Sequence, residues 1–294
     1  MQILQYLING ISIGAVYAII ALGYTMVYGI AKMLNFAHGD IIMVGAYISF
    51  CVTSYLGLPA FVSVIAAMAV CTLLGIFIEK LAYMPLRGTP SLAVLITAIG
   101  VSYFLQNGAQ LIWGSAPKNF ASIVPLKPIF LAGGALVITG EVIVTILASV
   151  LIMAGLTLFT TKTKIGKAMR AVSEDRAAAQ LMGISVNNTI SMTFAIGSAL
   201  AAIAGVLLCS TVPTLQPTTG AMPGIRAFTA AVFGGIGSIP GAMLGGILLG
   251  IVECISYKIT AIAPYTDAIE FSVLIIILLV KPAGLLGKQV QEKV

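Results

Sequence analysis

The sequence predicts an all-α polytopic membrane protein with about eight or nine transmembrane segments and no separate soluble domain. Of its 294 residues, 60% are hydrophobic and 8% are charged, whereas soluble globular proteins carry about 25% charged residues. Several stretches contain no charge, and the longest have room for two crossings of about 20 residues each. Such stretches must be helical because lipid cannot hydrogen-bond to open backbone groups, and the alternating pattern of a membrane β-barrel is absent.

Eight apolar segments follow one another within one membrane domain that covers residues 1–294. The proline after Leu58 separates the second segment from the third, and the last segment is short. The segments are 8–31, 41–57, 58–78, 92–113, 142–160, 189–212, 227–252 and 269–280.

The segment 227–252 contains a strong helix-breaking pattern. Residues 233–241 read FGGIGSIPG, with four glycines and one proline in nine residues, and such clusters mark turns. We therefore predict a broken helix or a re-entrant pair, which at membrane depth must be buried in protein or line a cavity. Two passes here give nine crossings and one pass gives eight. The predicted hinge residues are Gly234, Gly235, Gly237, Pro240 and Gly241.

Basic residues predict the orientation, because cytoplasmic loops are enriched in Lys and Arg. The segment 161–188 and the C-terminal tail are the most basic parts, so both are expected in the cytoplasm. Counting back from 161–188 puts the N-terminus outside and the other inner loops inside. The basic residues concerned are Lys162, Lys164, Lys167, Arg170 and Arg176 in the segment, Lys281, Lys288 and Lys293 in the tail, and Lys32, Lys80 and Arg87 in the inner loops.

The stretch 114–141 is expected to be an external element. It contains three prolines and then the apolar piece PIFLAGGALVITG, whose 13 residues are too few to span a bilayer, since spanning needs about 20. We expect an interfacial hairpin or a strand pair with Gly133–Gly134 at its turn.

Motifs for catalysis and for metal binding are absent from the sequence. There is no GxxxxGK[ST] phosphate loop, His38 is the only histidine, and the four cysteines form no CxxC pair. We therefore expect no catalytic residues, no metal site and no cofactor. The net charge of +6 follows from the positive-inside rule and does not indicate nucleic acid.

Carboxylates within apolar segments would favour an ion-coupled secondary transporter. Glu270 is the carboxylate that we expect to be most embedded, although an interfacial position near Lys258 is the other interpretation. Asp40, Glu79, Glu141 and Glu253 border apolar segments, and Asp267 lies three residues before Glu270. Nothing in their spacing resembles a proton relay.

The segment 161–188 predicts an amphipathic helix. Its apolar face comprises Ile165, Met169, Val172, Ala179 and Met182, at steps of four, three, seven and three. Glu174 follows Arg170 by four residues and could pair with it, and Gly183 is a plausible helix end. The residues alone leave two interpretations open, a helix resting on lipid headgroups and a helix docked into a groove of a cytosolic partner.

Four stretches together resemble the branched-chain amino acid permease family of bacterial ABC importers, first of the two permease subunits. Each stretch is moderately specific, and they occur in the family's order along essentially the whole chain. They are GKAMRA at 166–171 with its continuation to Ile184, GY through NFAHGD to MVGAY at 23–47, EKLAYMPLR at 79–87, and GGIGSIPGA at 234–242 with KPAGLLG at 281–287.

The resemblance implies a non-enzymatic pore subunit in the bacterial inner membrane, with a periplasmic N-terminus and a cytoplasmic C-terminus. Its implied partners are a second, different permease subunit, two cytosolic ATPase subunits, and a periplasmic binding protein that delivers Leu, Ile or Val. Each ATPase subunit would grip one coupling helix. In this chain the ATPase contacts would be Gly166, Lys167, Arg170, Glu174, Asp175, Leu181, Met182 and Gly183.

Two groups of polar residues are candidates for a gate or a pathway. Asn35 and His38 fall in a predicted cytoplasmic loop, where they form an inner gate, contact an ATPase, or cap the loop. Gln106, Asn107 and Gln110 lie within 92–113, where they line the pathway or form interhelical hydrogen bonds.

Other functions remain open at this point. The same machine could carry urea, short amides or other amino acids. A stand-alone secondary transporter or channel is the rival from another class, but such a protein does not need the basic amphipathic helix.

Overall fold

The computed structural model describes residues 2–131, 136–260 and 262–287. Within these ranges the chain forms eleven α-helices and two small antiparallel strand pairs. The helices are α1 (Gln2–Ala31), α2 (His38–Phe50), α3 (Ala60–Ile78), α4 (Ser91–Trp113), α5 (Gly140–Lys162), α6 (Lys164–Glu174), α7 (Arg176–Leu181), α8 (Val186–Thr211), α9 (Ala221–Gly234), α10 (Ile239–Lys258) and α11 (Thr266–Val280). The strands are β1 (Lys118–Asn119), β2 (Ile129–Leu131), β3 (Leu136–Ile138) and β4 (Thr214–Leu215).

Seven of the described helical segments are long and apolar enough to cross a membrane. They contain α1, α3, α4, α5, α8, α10 and α11. By contrast, α2 has 13 residues and α9 has 14 residues, each short of the roughly 20 that a crossing needs. A π-helical turn, Cys51–Tyr55, extends α2.

The predicted break within 227–252 corresponds to the boundary between α9 and α10. Helix α9 ends at Gly234, and Gly235 and Gly237 then take φ values of 106° and 93°, which L side chains rarely adopt. The Ser238 hydroxyl oxygen accepts a hydrogen bond from the Gly241 N–H at 3.2 Å and so caps α10. Of the predicted hinge residues, Pro240 and Gly241 therefore belong to the first turn of α10, and the turn itself is 235–238.

Helix α1 runs through the centre of the molecule and packs most closely against α10. A Cβ atom on Gly14 would lie 2.7 Å from the Ile247 Cα, and one on Gly246 would lie 2.6 Å from the Ala18 Cα. These distances are shorter than any normal carbon–carbon contact, so only glycine permits the approach. Gly246 and Gly250 form a GxxxG pair, which brings membrane helices together in this way.

The two short helices meet end to end in the interior. A Cβ atom on Gly224, in the first turn of α9, would lie 2.8 Å from the Cα of Gly39, the second residue of α2. The first ten residues of α2, His38–Tyr47, are buried. Both helices therefore begin inside the protein rather than at its surface.

The stretch 114–141 contains short strands, and one of them ties it to the loop after α8. β1 pairs with β4 through Lys118 and Leu215, and β2 pairs with β3, consistent with the predicted strand pair. The predicted turn at Gly133–Gly134 lies outside the described residues. The Gln5 side chain donates to the Val137 carbonyl and accepts from the Val137 N–H, both at 2.9 Å, which fastens α1 to β3.

We expect Gly246→Val to destabilise the protein by about 1–3 kcal/mol, because the added carbons must push α1 away from α10. Thermal unfolding of the purified protein in detergent measures this effect. Gly155→Val in α5 is the matched control, since a Cβ atom there meets nothing within 4 Å. Equal unfolding temperatures for the two variants would contradict the close α1–α10 contact.

Candidate functional site

The segment between α5 and α8 is folded as two helices rather than the single predicted one. The Thr163 hydroxyl oxygen accepts a hydrogen bond from the Gly166 N–H at 3.0 Å and caps α6. The Asp175 carboxylate accepts from the Ala177 and Ala178 N–H groups at 2.8 and 3.0 Å and caps α7. Gly183 has φ of 80° directly after the end of α7. We call residues 164–183 the α6–α7 segment.

The buried face of the α6–α7 segment differs from the predicted one at both ends. Met169, Val172 and Ala179 are buried, and α6 packs against α1, α5 and α8. Ile165 and Met182 are exposed. The prediction assumed one continuous helix, but the chain turns at Asp175 and Met182 lies beyond the last turn of α7.

The eight predicted ATPase contacts do not all lie on the surface. Gly166 is buried against α5, where a Cβ atom would lie 2.5 Å from the Thr160 Cα, so its role is to let α6 approach α5. The predicted Arg170–Glu174 ion pair is not formed, and Arg170 instead donates to the Thr161 carbonyl oxygen at 3.3 Å. The exposed members of the set are Lys167, Arg170, Glu174, Asp175, Leu181, Met182 and Gly183.

Two adjacent apolar side chains project from the end of α7. Leu181 is 90% exposed and Met182 is 82% exposed. The exposed charges of the segment lie before them, on α6 and at the start of α7 (Lys164, Lys167, Arg170, Glu174 and Asp175), and α7 itself packs against α6 and α8. An exposed apolar pair beside a charged helix is the arrangement expected of a protein-binding surface.

Asn35 and His38 lie in the interior rather than in an exposed loop. The Tyr83 hydroxyl donates to the Asn35 side-chain oxygen at 2.8 Å. The His38 ring meets the Tyr24 ring edge-on at 4.6 Å between centroids and occupies the space that a side chain at residue 23 would need. Both side chains are buried, and neither forms an exposed contact surface. Ala37 stands at the N-cap of α2, and neither side chain caps that helix.

Of the three polar residues of α4, Gln106 turns toward a neighbouring helix and the other two are exposed. Gln106 donates to an Asp40 carboxylate oxygen at 2.8 Å and so joins α4 to α2, as an interhelical hydrogen bond. Asn107 donates to the Tyr103 carbonyl oxygen of its own helix at 2.7 Å. Asn107 and Gln110 are exposed on the outer surface of the chain.

A cluster around Arg226 is the largest group of charges in the interior of the described part of the chain, and sequence reasoning missed it. Arg226 in α9 contacts Glu253 of α10, and its other nitrogen atoms reach Asp267 at 2.6 Å and Glu270 at 3.3 Å, both in α11. It also donates to the Tyr17 hydroxyl of α1 at 3.1 Å. Glu270 is buried, as expected, and it lies beside Arg226 rather than beside Lys258. The Lys258 ammonium lies over the Tyr6 ring instead. The available signal was that Arg226 is the only charge between Ala177 and Val252.

An ion pair in the stretch between α3 and α4 is linked to α8 by hydrogen bonds. Arg87 contacts Glu79 and the Asn187 side chain, and the Ser191 hydroxyl donates to the other Glu79 oxygen at 2.6 Å. Arg176 of α7 donates to the Ala31 carbonyl oxygen at the end of α1. The α6–α7 segment is therefore linked to the end of α1 by a side-chain hydrogen bond as well as by packing.

The comparisons with known proteins cover this whole arrangement. Residues 6–278 match the family model described as the branched-chain amino acid transport system permease component. The chain belongs to this family. The match includes all the helices named above except the first few residues of α1 and the last two of α11.

Individual members of the permease family match over their full length. The high-affinity branched-chain amino acid transport system permease protein BraD of Pseudomonas aeruginosa is 44% identical, over 99% of this chain and 98% of that protein. The corresponding LivH proteins of Salmonella typhimurium and Escherichia coli K12 are 42% and 41% identical, each over 100% of this chain and 98% of that protein. The chain is thus a permease component of a transport system, with several membrane-spanning helices.

We expect Arg226→Met to destabilise this permease by about 3–5 kcal/mol, because it leaves buried carboxylates without a cation. Thermal unfolding in detergent measures the loss. Arg170→Met is the matched control, because this arginine is exposed and makes one hydrogen bond, so its effect should stay within about 0.5 kcal/mol. Adding Glu253→Gln and Glu270→Gln to Arg226→Met should recover part of the stability. An Arg226→Met protein as stable as the original would contradict the pairing.

Proposed function

We propose that this chain is a transmembrane subunit of an ATP-driven importer and forms part of the pathway for Leu, Ile and Val. Family membership supports the cargo class, because the full-length relatives are named as branched-chain amino acid permeases. A periplasmic binding protein would deliver the amino acid, a second, different permease subunit would complete the pathway, and two cytosolic ATPase subunits would drive it.

The observation that carries the ATPase assignment is the exposed pair Leu181–Met182 at the end of α7. An ATPase subunit would bury this pair in a groove and face the exposed charges of α6 with complementary ones, as helix-in-groove recognition does. For the ATPase subunit to move the membrane helices, the docked segment must move rigidly with them. The buried contacts of Met169 and Val172 and the hydrogen bond from Arg176 to Ala31 supply that rigidity.

The proposed topology has nine crossings. The seven long helices make seven of them, and in the other two the short helices α2 and α9 are completed by the non-helical chain before them, residues 32–37 and 216–220. Contacts between connecting segments support it, since they fall into two groups. The group assigned to the periplasm comprises the pairing of β1 with β4, the bonds of Gln5 to Val137, and Lys258 over Tyr6. The group assigned to the cytoplasm comprises Arg176 with Ala31 and the bond from the Leu285 N–H to the Phe233 carbonyl. The N-terminus is then periplasmic and the C-terminus cytoplasmic.

In this topology α2 and α9 are half-length helices whose N-terminal ends meet near the middle of the membrane. Discontinuous helices of this kind stand at the binding sites of many transporters. Asn35 lies three residues before α2, and His38 is the first residue of α2. We propose that both move with α2 as part of an inner gate. Asn107 and Gln110, which are exposed on α4, are proposed to face the pathway or the second permease subunit.

We expect Leu181→Ala with Met182→Ala to abolish leucine uptake while the protein still inserts. Truncating the centre of an interface costs about 2 kcal/mol or more, which lowers affinity about 30-fold. Uptake of labelled leucine and recovery of ATPase subunits with the tagged chain measure the effect. Leu111→Ala with Ile112→Ala is the matched control, an exposed apolar pair at the other end of the molecule. Uptake at the original rate in the Leu181–Met182 variant would overturn the docking surface.

Competition by unlabelled compounds tests the cargo. We expect Leu, Ile and Val to suppress the uptake of labelled leucine, whereas urea and short amides leave it unchanged. Suppression by urea or acetamide at the same concentration would instead assign the permease to small amides.

A stand-alone secondary transporter is the second candidate, and the buried carboxylates around Arg226 are the observation that favours it. Mild-detergent purification followed by mass spectrometry separates the two functions. The importer predicts co-purification of ATPase subunits and a second permease. A chain that purifies alone and transports leucine alone in liposomes would support the secondary transporter.

A further inference from the structure

A cavity of about 600 Å³ lies between the end of α1, the start of α4 and the first residue of α7. Three cationic side chains line it, Lys32, Arg87 and Arg176, and its remaining walls are mostly apolar, including Leu34, Leu92 and Leu95. None of the functional roles proposed above uses this cavity.

The cations bring a net positive charge to the cavity. Arg87 is neutralised by Glu79, but no carboxylate in the described part of the chain pairs with Lys32 or Arg176. No acidic residue lines the cavity within the described part of the chain, and the nearby Asp175 is engaged in capping α7. Two positive charges therefore remain without an acidic partner.

The backbone adds to the attraction for an anion. Helix α4 begins at Ser91 after Pro90, and no side chain of the described residues caps it. Ser91 and Leu92, the first two residues of α4, line the cavity, so the start of this helix lies at its edge, where the helix dipole favours negative charge. Lys32 has φ of 53°, the only positive value for a non-glycine residue in the described ranges, and such backbone conformations are held in place by their surroundings.

The apolar walls decide which kind of anion fits. A small anion needs only the polar rim, whereas an amphiphile also needs a place for its hydrocarbon chain. An exposed apolar stripe begins at Leu92 and continues along one face of α4, away from the cavity. Its residues are four, three and four positions apart. Its members are Leu92, Ile96, Ile99 and Tyr103.

We propose that this cavity binds the phosphate headgroup of an anionic phospholipid, with an acyl chain along the stripe on α4. Lys32 and Arg176 hold the phosphate, together with the first-turn N–H groups of α4. Basic pockets between membrane helices bind anionic lipid headgroups in this way. The lipid belongs to the cytoplasmic leaflet if the topology proposed above holds, but binding itself does not depend on that topology or on the cargo. Because Arg176 begins α7, the bound lipid joins the α6–α7 segment to α1 and α4.

Native mass spectrometry of the full chain, purified with its accompanying subunits and stripped of lipid, tests this site. Phosphatidylglycerol and phosphatidylcholine with identical acyl chains are titrated separately. We expect phosphatidylglycerol to bind more tightly. Lys32→Gln should lower that preference about fivefold, and Lys32→Gln with Arg176→Gln about 25-fold, as expected for one and two lost cations. Lys32 is exposed, so the single variant tests the site without disturbing a buried contact.

Lys164→Gln is the matched control, because Lys164 is an exposed basic residue of α6 that does not line the cavity. It should leave the preference unchanged. An equal loss in this control, or equal binding of the two lipids to the original protein, overturns the site. Glycerol 1-phosphate tests whether a small anion without an acyl chain binds equally well. If it displaces phosphatidylglycerol at similar concentrations, the cavity recognises free phosphate groups and the lipid assignment is overturned.

Discussion

Burial of α1 is the constraint on which the rest of the structure depends. The helix is buried without interruption from Gly14 to Val27 and contacts α5, α6, α8, α9 and α10. Three positions along this helix contact other parts of the molecule. Tyr17 reaches the Arg226 cluster, Gly23 and Tyr24 receive the His38 ring, and the Ala31 carbonyl accepts from Arg176. A displacement of α1 therefore reaches the charge cluster, the junction of the short helices and the α6–α7 segment together.

The interior combines two kinds of contact that membrane proteins use for different purposes. Glycine contacts between α1 and α10, and between α2 and α9, bring backbones close enough for dispersion forces to hold them, since lipid supplies little hydrophobic drive between helices. The Arg226 cluster joins α9, α10 and α11 through charge. Because desolvating these charges is costly and offsets much of their attraction, a cluster of this kind adds little net stability. Removing one member is expensive for the same reason.

Periodicity and composition predicted some parts of the site better than others. The buried Met169, Val172 and Ala179 follow from helical spacing, and the break after Gly234 follows from the glycine cluster. Asn35 and His38 were placed in a loop because a charged residue, Lys32, ends the first apolar run. In the structure the chain turns back into the protein at that point, and hydrophobicity cannot reveal such a turn. Arg226 was visible as an isolated charge, but its partners lie 27, 41 and 44 residues further along the chain, where sequence spacing carries no information.

The sequence by itself determined the class of protein, the positions of most long helices and the family, because apolar run length, loop charge and local motifs are properties of neighbouring residues. The tertiary structure decided which polar residues meet. Gln106 with Asp40, Tyr83 with Asn35, and Arg226 with its carboxylates are contacts between separate helices. The structure also decided that Gly166 packs while Leu181 and Met182 project, because burial depends on how α6 and α7 are set against their neighbours and not on the residues' own character.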